Sequence, residues 1–206
     1  MFYRPGVDAH DLPRNPFNAL ITPRPIGWVS TIDGQGRANL APFSFFQGAG
    51  YQPPMISLAF TGAKLGAYDG ERKDTLANIR ETGEFAVNIV PSALTHEMNA
   101  SAANLGEGES EFEAAGVTAT SCREIACPRV AESPATLECK LVQVVDLPNE
   151  GPGENATVFG KVVGIHIDDA IMRDGFIDPT LYKPLARMGY LDYTIVSEIF
   201  TLKRPD

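Results

Sequence analysis

Two short segments of the sequence combine residue types that could bind a flat, anionic molecule. The first is Asn39–Phe46 (NLAPFSFF), which places three aromatic side chains, a hydroxyl and a proline at the expected end of a strand. Aromatic rings there could wall a planar ring, and backbone N–H groups that leave the sheet could hydrogen-bond its edge. The alternative is that Phe43, Phe45 and Phe46 are ordinary core residues, and the segment alone does not decide between the two.

The second segment, Arg72–Thr75 (RKDT), lies where a helix is predicted to begin. The N-terminus of a helix carries unpaired backbone N–H groups and the positive end of the helix dipole, so it favours a phosphate. Lys73 and Thr75 would add a cation and a hydroxyl donor, and Asp74 is a good N-cap residue. The alternative is a solvated helix cap with a surface lysine.

Other chemistries find less support in the sequence. There is no G-x-S-x-G nucleophile motif, no phosphate-binding P-loop, no kinase motif set and no zinc motif. An odd number of cysteines makes no disulfide framework, and single histidines at wide spacing make no metal motif. We therefore expect buried thiols and surface histidines, with no metal site, for Cys122, Cys127, Cys139, His10, His96 and His166.

Composition narrows the class of protein further. The 206 residues are 44% hydrophobic and 21% charged, a balance typical of a folded globular chain. Seventeen Lys and Arg against 26 Asp and Glu give a net charge of −9, which disfavours general binding to nucleic acids or anionic membranes. No stretch approaches the roughly 18 apolar residues of a membrane span, and residues 1–17 lack the apolar core of a signal peptide. We expect a cytoplasmic protein.

The elements that would position these segments are mainly strands. An irregular N-terminal arm is expected over residues 1–17, followed by one domain with no repeat or linker that would divide residues 1–206. β-branched and aromatic runs predict strands, two pairs of which form hairpins around the turns at 33–36 and 148–154. The predicted strands are Pro25–Ile32, Arg37–Phe46, Met55–Phe60, Glu84–Val90, Leu137–Leu147, Thr157–Ile167 and Ser197–Leu202.

Two short helices are predicted between the hairpins. One runs from the N-cap Asp74 to a terminating glycine at Gly83, with Leu76 and Ile79 on one face. The second begins after Pro91 and extends to about residue 103, and the glutamate-rich stretch 104–113 is expected to be a solvated loop. Two hairpins around short helices predict an antiparallel, barrel-like sheet.

The order of the motifs resembles that of the flavin reductase-like family, the FMN-binding split β-barrels. The resemblance covers about residues 15 to 200 and depends on five segments in the order of the family, none of which is specific by itself. They are Asn18–Thr31, Asn39–Phe46, Pro53-Pro54 before its strand, Lys73–Asn88 and Lys183–Gly189.

The resemblance implies a mainly β fold, an antiparallel, Greek-key-like split barrel with short helical insertions. It also implies a homodimer that binds one FMN per subunit near the subunit interface. Carried over position by position, the residues expected at the flavin ring and the ribityl phosphate are Ala41, Pro42, Phe43, Ser44, Phe45, Phe46, Lys73, Asp74 and Thr75. Arg24, Ser30 and Arg187 fall in matching motifs and are further candidates for the cofactor site.

The function implied is that of an FMN-dependent oxidoreductase, in which a hydride passes from NAD(P)H to N5 of the flavin and electrons go on to an acceptor or a partner oxygenase. Because the flavin carries the chemistry, no catalytic dyad is required. Some reductases of this group have a histidine late in the chain that helps position nicotinamide, whereas residues 188–193 here read MGYLDY. A flavoprotein electron carrier that another protein reduces, and an FMN-binding module without a redox role, therefore stay open.

Overall fold

The protein is described by a computed structural model that covers residues 1–62, 74–105 and 109–205. The N-terminal arm has no strand, and its first helix begins at Phe17. The strands of the described residues are β1 Arg24–Pro25, β2 Gly27–Ile32, β3 Ala38–Phe43, β4 Phe46–Tyr51, β5 Pro54–Gly62, β6 Glu84–Ile89, β7 Ala119–Thr120, β8 Arg129–Val130, β9 Ala135–Asp146, β10 Glu154–Ile167, β11 Met172–Arg173, β12 Phe176–Ile177, β13 Leu185–Arg187 and β14 Tyr193–Ile195.

The helices are short, as expected for insertions into a mainly β fold. They are α1 Phe17–Leu20, α2 Asp74–Thr82, α3 Thr95–Ala100, α4 Glu111–Ala115 and α5 Pro179–Tyr182. The predicted end of α2 is confirmed, because Gly83 follows the helix with φ of 73°, a left-handed conformation that glycine adopts without strain. Leu76 and Ile79 face the core together. No helix of the described residues is long and apolar enough to cross a membrane.

Seven strands of the described residues form one antiparallel sheet in the order β3-β2-β6-β9-β10-β5-β4. The two outermost strands, β3 and β4, are consecutive in the chain and are separated only by Ser44 and Phe45. Since two residues span only a few ångströms, the first and last strands must approach each other, and the sheet closes into a barrel. The barrel is split between β3 and β4, which are not hydrogen-bonded neighbours.

A second, three-stranded sheet packs beside this split. Its order is β1-β13-β14, so the strand that precedes the barrel pairs with the strands near the end of the chain. This sheet is antiparallel, and it brings residues 24–25 next to residues 186–187 although more than 160 positions separate them in the sequence. The Lys183–Gly189 motif thereby comes to lie beside the Asn18–Thr31 motif.

The predicted hairpins are confirmed. β2 pairs with β3 from Gly27 opposite Phe43 to Ile32 opposite Ala38, and β9 pairs with β10 across the tip at 148–154. The barrel interior is filled by apolar side chains from the strands of the seven-stranded sheet and from α2. The fully buried ones include Val29, Leu58, Phe85, Val87 and Val158.

Three predicted elements differ from the structure. The single return strand expected over 37–46 is two strands, because the chain bends at Ser44 and Phe45 to pass from one side of the split to the other. The loop expected over 104–113 contains the start of α4, whose Phe112 is buried in a core cluster with Trp28. The strand predicted at Ser197–Leu202 does not form, and Ile199, Phe200 and Leu202 are exposed.

Candidate active site

A groove of about 350 Å³ opens where the N-terminal arm, the split of the barrel and the three-stranded sheet meet. Its volume lies within the range of about 300–1,000 Å³ that is usual for small-molecule sites. The lining residues come from five separate parts of the chain: Asn15, Asn18, Arg24, Ile26, Pro42, Phe43, Ser44, Met98, Ala102, Arg187, Tyr190 and Tyr193.

Two arginines lie side by side in the lining of this groove. Arg24 of β1 and Arg187 of β13 are directly opposite partners in the antiparallel ladder. Like charges at such positions repel, and the pKa of the Arg24 guanidinium is lowered first by burial and then by the charge of Arg187. Among the described residues, no carboxylate forms an ion pair with either of them within 4.0 Å. A positive field is therefore concentrated in one groove of an acidic protein.

Arg24 is held in place by neutral acceptors. The side chain is only 7% exposed. Its guanidinium donates to the carbonyl oxygens of Asn18, of Ile21 at 2.5 Å and of Met188 at 3.0 Å, and to the Ser44 hydroxyl at 3.3 Å. These bonds tie the arm, the C-terminal segment and the split of the barrel to one residue, while the charge of Arg24 is not neutralised.

Arg187 is more accessible than Arg24 and is oriented by two tyrosines. Its guanidinium donates to the Tyr193 hydroxyl and to the Tyr190 carbonyl oxygen. It also lies 4.4 Å from the centre of the Tyr193 ring, a cation–π contact. Tyr190 adopts φ of 58°, which is uncommon for a bulky residue and which costs conformational energy that the surrounding contacts must offset.

Close packing fixes the arm against the same segment. A Cβ atom at Gly189 would lie 2.4 Å from the Cβ and 2.7 Å from the Cα of Ala19 in α1. Only glycine allows this approach, since the atoms it would meet include backbone. The Arg14 guanidinium lies 5.8 Å from the centre of the Tyr190 ring and adds a second contact. The arm therefore forms one wall of the groove, which its irregular sequence did not indicate.

The three phenylalanines of the Asn39–Phe46 segment have different surroundings. Phe46 is buried in the barrel core, as the alternative reading of the segment had it. Phe43 lines the groove and packs edge-on against Phe60, with 4.8 Å between the ring centres. The Arg24 guanidinium lies over the Phe45 ring, with 5.6 Å between the guanidinium carbon and the ring centre. The core interpretation therefore holds for Phe46, whereas Phe43 is placed in the lining of the groove and its role in binding stays a prediction.

The remaining candidates of this segment are spread over its length. Pro42 and Ser44 line the groove, and the Ser44 hydroxyl accepts a hydrogen bond from Arg24. Ala41 lies one residue before them on β3, half-buried, and is not among the lining residues.

Ser30 is not brought to the groove. Its side chain is fully buried, and its hydroxyl donates to the Pro128 carbonyl oxygen at 2.5 Å and accepts from the Asn88 amide at 3.3 Å. The reason is the alternation of β2. Residues of a strand point alternately to its two faces, and Ser30 points to the face that the 121–130 segment covers.

The helix-start candidates are only partly described. Thr75 is 2% exposed, and its hydroxyl donates to the Asn39 side chain at 2.7 Å, so this hydroxyl has an acceptor within the protein. Asp74 is exposed and is the first described residue of α2. Lys73 lies outside the described residues. Neither Asp74 nor Thr75 is among the residues that line the groove.

Seven of the twelve lining residues were not among the candidates that the sequence suggested. Asn15 belongs to the arm, Asn18 and Ile26 belong to the Asn18–Thr31 motif, and Met98 and Ala102 lie within the second predicted helix. No local pattern distinguishes these residues. Tyr190 and Tyr193 could have been found, because aromatic residues within six positions of a candidate arginine are available to stack on it.

The groove fits FMN in its chemistry. Aromatic side chains suit a flat ring, and two guanidinium groups without a carboxylate partner suit a ligand that carries a phosphate and becomes anionic on reduction. The lining residues whose chemistry could hold such a molecule are Arg24, Pro42, Phe43, Ser44 and Arg187.

The structure is that of a mainly β protein with a groove beside the split of its barrel. The family model of the flavin reductase like domain matches residues 19–186, and the chain belongs to this family. The uncharacterized protein BH2278 of Halalkalibacterium halodurans is 37% identical over 187 residues, which cover 90% of this chain and 87% of that protein.

Solved structures agree with this assignment. The chain is similar to nitrilotriacetate monooxygenase component B from Bacillus cereus, with a TM-score of 0.87, 30% identity and 98% coverage of both chains. It is also similar to a flavin reductase-type protein with a split barrel domain from Shewanella frigidimarina, with a TM-score of 0.79, 27% identity and coverage of 92% and 90%. The predicted fold class, a split barrel with short helices, is confirmed.

Proposed function

We propose that this protein is an FMN-dependent oxidoreductase of the flavin reductase type, which takes a hydride from NAD(P)H and passes electrons to an acceptor. The observation that carries the proposal is the unneutralised pair Arg24 and Arg187 in an aromatic groove at the split of the barrel. Membership of the flavin reductase-like family supports flavin as the ligand. When bound, FMN would supply the hydride-accepting ring, and the protein would supply binding and electrostatics.

The residues of the groove have separate roles in this proposal. Arg187 provides a charge-assisted donor to an anionic ligand, because its planar guanidinium is held by Tyr193 and stays accessible. Arg24 sets the local field and fixes the position of Ser44. Phe43 offers a ring face, and the arm excludes water from one side. Lys73 and Asp74 remain candidates for the phosphate end of FMN, and Thr75 would contribute there only through its main chain, because its hydroxyl donates to Asn39.

Steady-state oxidation of NADH and of NADPH by FMN-loaded protein tests the proposal. We expect turnover with at least one of the two, at a rate well above that of free FMN. The matched control is the Arg187→Met variant, which keeps an unbranched side chain without the charge and should lose flavin affinity. Absence of turnover with both donors, in protein shown to contain flavin, would contradict the assigned activity.

A flavoprotein electron carrier is the second candidate function. The observation that favours it is the 188–193 segment, which contributes Tyr190 to the groove and has no histidine. A carrier would be reduced by a partner protein or by dithionite, would show no NAD(P)H oxidation, and would pass electrons to a protein acceptor. A third candidate, an FMN-binding module without a redox role, would bind flavin whose reduction is coupled to nothing.

We further propose that the chain forms a homodimer and works in the cytoplasm beside an oxygenase or another acceptor. Exposed apolar side chains on the outside of the barrel and at the end of the chain, such as Val142, Ile165 and Phe200, are available to a second copy. Similarity to a monooxygenase component supports a partner oxygenase. Light scattering should give about twice the 22.2 kDa of one chain. A flavin-loaded monomer would contradict the dimer.

A further inference from the structure

The loop that connects β7 to β8 and two strands of the barrel bring together three potential metal ligands outside the groove. The ligand atoms of Cys122, Glu138 and His166 all lie within 4.8 Å of one another. Cys122 comes from the loop, Glu138 from β9 and His166 from β10. None of them lines the groove. His166 is only 19% exposed and contacts Glu138, so it is not the surface histidine that the sequence led us to expect.

The register of the β9–β10 pair brings Glu138 and His166 together. Glu138 is opposite Gly164, and Thr136 is opposite His166, so Glu138 and His166 are diagonal neighbours on one face of the β9–β10 pair. The register shifts between Val162 and Gly164, a bulge of the kind that reorients side chains near functional sites. A Cβ atom at Gly164 would lie 3.2 Å from the carboxyl carbon of Glu138, so glycine leaves room for that carboxylate.

Glu138 is a buried carboxylate that the loop encloses. It is 1% exposed, and its two oxygens accept the backbone N–H groups of Arg123 at 2.9 Å and of Glu124 at 2.6 Å. These hydrogen bonds, with that from His166, outweigh the effect of burial and lower the pKa of Glu138. Each carboxylate oxygen has two lone pairs, so an oxygen that accepts one backbone N–H still has a lone pair for a cation.

The pKa of the Cys122 thiol is shifted in the direction that opposes ionisation, unlike that of the Glu138 carboxyl. Burial and then the charge of Glu138 raise its pKa to about 12, while the nearby Arg129 acts against this shift and Glu84 adds to it. The thiol is therefore protonated at neutral pH and is a poor nucleophile. A divalent cation at this position would replace the thiol proton and neutralise the resulting thiolate together with the Glu138 carboxylate.

We propose that Cys122, Glu138 and His166 form a three-ligand site for a zinc-type divalent cation, with a fourth position open to water. Sulfur, imidazole nitrogen and carboxylate oxygen are the ligands that zinc takes, at about 2.3, 2.0 and 2.0 Å. Tetrahedral bonds of these lengths separate the ligand atoms by roughly 3.3–3.5 Å. Binding therefore requires the Glu138–His166 contact to open and the Cys122 sulfur to approach, and it releases the thiol proton.

The site would tie the 121–128 loop to β9 and β10, and a cation bound there stabilises the folded chain. The same loop covers the buried face of β2, where the Pro128 carbonyl accepts from Ser30. We therefore expect zinc to raise the thermal midpoint without changing FMN affinity. This proposal does not rest on the proposed oxidoreductase function.

Calorimetric titration of the flavin-loaded protein with Zn²⁺ tests the site, together with Co²⁺ difference spectra against the same preparation. We expect one ion per chain, release of about one proton when buffers of different ionisation enthalpy are compared, and a thiolate-to-cobalt charge-transfer band. Cys122→Ser should abolish that band and weaken Zn²⁺ binding by at least about 100-fold, since changes in the outer shell alone cost about 10- to 100-fold.

Two further variants keep the proposal falsifiable. Cys127→Ala removes a thiol of the same loop that is not in the group, and it should leave the affinity and the band unchanged. His166→Gln leaves Glu138 and its loop contacts in place and should weaken Zn²⁺ binding by at least about tenfold. Binding that is absent in the parent protein, or that is equal in parent and Cys122→Ser, would overturn the site, as would loss of the band in Cys127→Ala alone.

Discussion

Two polar regions next to the same strand, β2, use their hydrogen-bonding groups in different ways. Asn88, on the neighbouring strand β6, donates to the Trp28 carbonyl at 2.9 Å and to Ser30 at 3.3 Å, and it accepts from the Val130 N–H at 2.9 Å and the Thr136 hydroxyl at 3.0 Å. Every polar group of the Asn88 side chain is paired inside the protein. We refer to Ser30, Asn88 and Thr136 as the Asn88 cluster.

The groove differs because its charges are oriented without being neutralised. Arg24 and Arg187 donate to carbonyl and hydroxyl oxygens, and among the described residues neither forms an ion pair. A paired neutral cluster specifies the fold, whereas an unneutralised charge in a groove retains attraction for a ligand. Variants in the two regions should therefore have separable effects on stability and on ligand affinity.

The largest effect is expected in the Asn88 cluster. Asn88→Ala leaves the buried Val130 N–H and the Thr136 hydroxyl without their acceptor, and each unpaired buried group costs about 1–3 kcal/mol. We expect the free energy of unfolding to fall by about 3 kcal/mol or more, measured by urea denaturation, with FMN affinity of the folded protein unchanged. Asn149→Ala at the exposed hairpin tip is the control and should cost under about 1 kcal/mol. Equal losses of unfolding free energy in Asn88→Ala and Asn149→Ala would show that the Asn88 cluster stabilises the fold no more than an exposed turn residue does.

Arg24→Met should have the next largest effect and is the variant that joins both regions. It removes four hydrogen bonds, but it also removes a buried charge that is costly by itself, so we expect a net loss of about 2 kcal/mol. The arm should loosen, and trypsin should cleave faster after Arg14, the first cleavable site, since Arg4 precedes a proline. The control variant Arg37→Met, in the β2–β3 turn, should change neither the free energy of unfolding nor the rate of cleavage after Arg14. Unchanged proteolysis would mean that Arg24 does not hold the arm.

Lys73→Ala tests the phosphate end of the site through ligand selectivity. A charge-assisted hydrogen bond contributes about 1.5–3 kcal/mol, so FMN binding should weaken by about ten- to a hundredfold. Riboflavin, which has no phosphate, should bind as before, and calorimetric titration with both ligands gives the comparison. Equal weakening of both would assign Lys73 to the fold or the ring, and no change would make it a solvated lysine.

Thr75→Ala is the matched comparison for Lys73. Because the Thr75 hydroxyl donates to Asn39 inside the protein, its loss should lower the free energy of unfolding by about 1 kcal/mol. It should not share the FMN selectivity of Lys73→Ala. A selective loss of FMN affinity without loss of stability would return Thr75 to the phosphate site.

The smallest effect is expected for Arg187→Lys. Lysine keeps the charge in the groove but loses the planar fork and its contact with Tyr193. We expect affinity for FMN and for riboflavin to fall by about three- to tenfold alike, corresponding to about 0.7–1.4 kcal/mol, with stability nearly unchanged. A loss confined to FMN would place Arg187 at the phosphate rather than at the ring.

Local patterns in the sequence predicted most strands of the barrel, both hairpins and the helix Asp74–Thr82 with its terminating Gly83. β-branched runs, turn residues and a terminating glycine act within a few positions of one another. Pro42–Ser44 stood out by residue type, whereas Arg24 and Arg187 were found only through the order of motifs that the chain shares with a family. The predicted strands by themselves do not show that these residues line one groove.

Which of the candidate residues come into contact depends on the tertiary structure. Arg24 and Arg187 are opposite partners although they are 163 positions apart, and no local pattern encodes such a pairing. Ser30 matched a motif but belongs to the buried Asn88 cluster, because the segments that cover each face of β2 are distant in sequence. Cys122, Glu138 and His166 looked unrelated for the same reason. Sheet register and a bulge beside Gly164 bring them together, and both depend on long-range strand pairing.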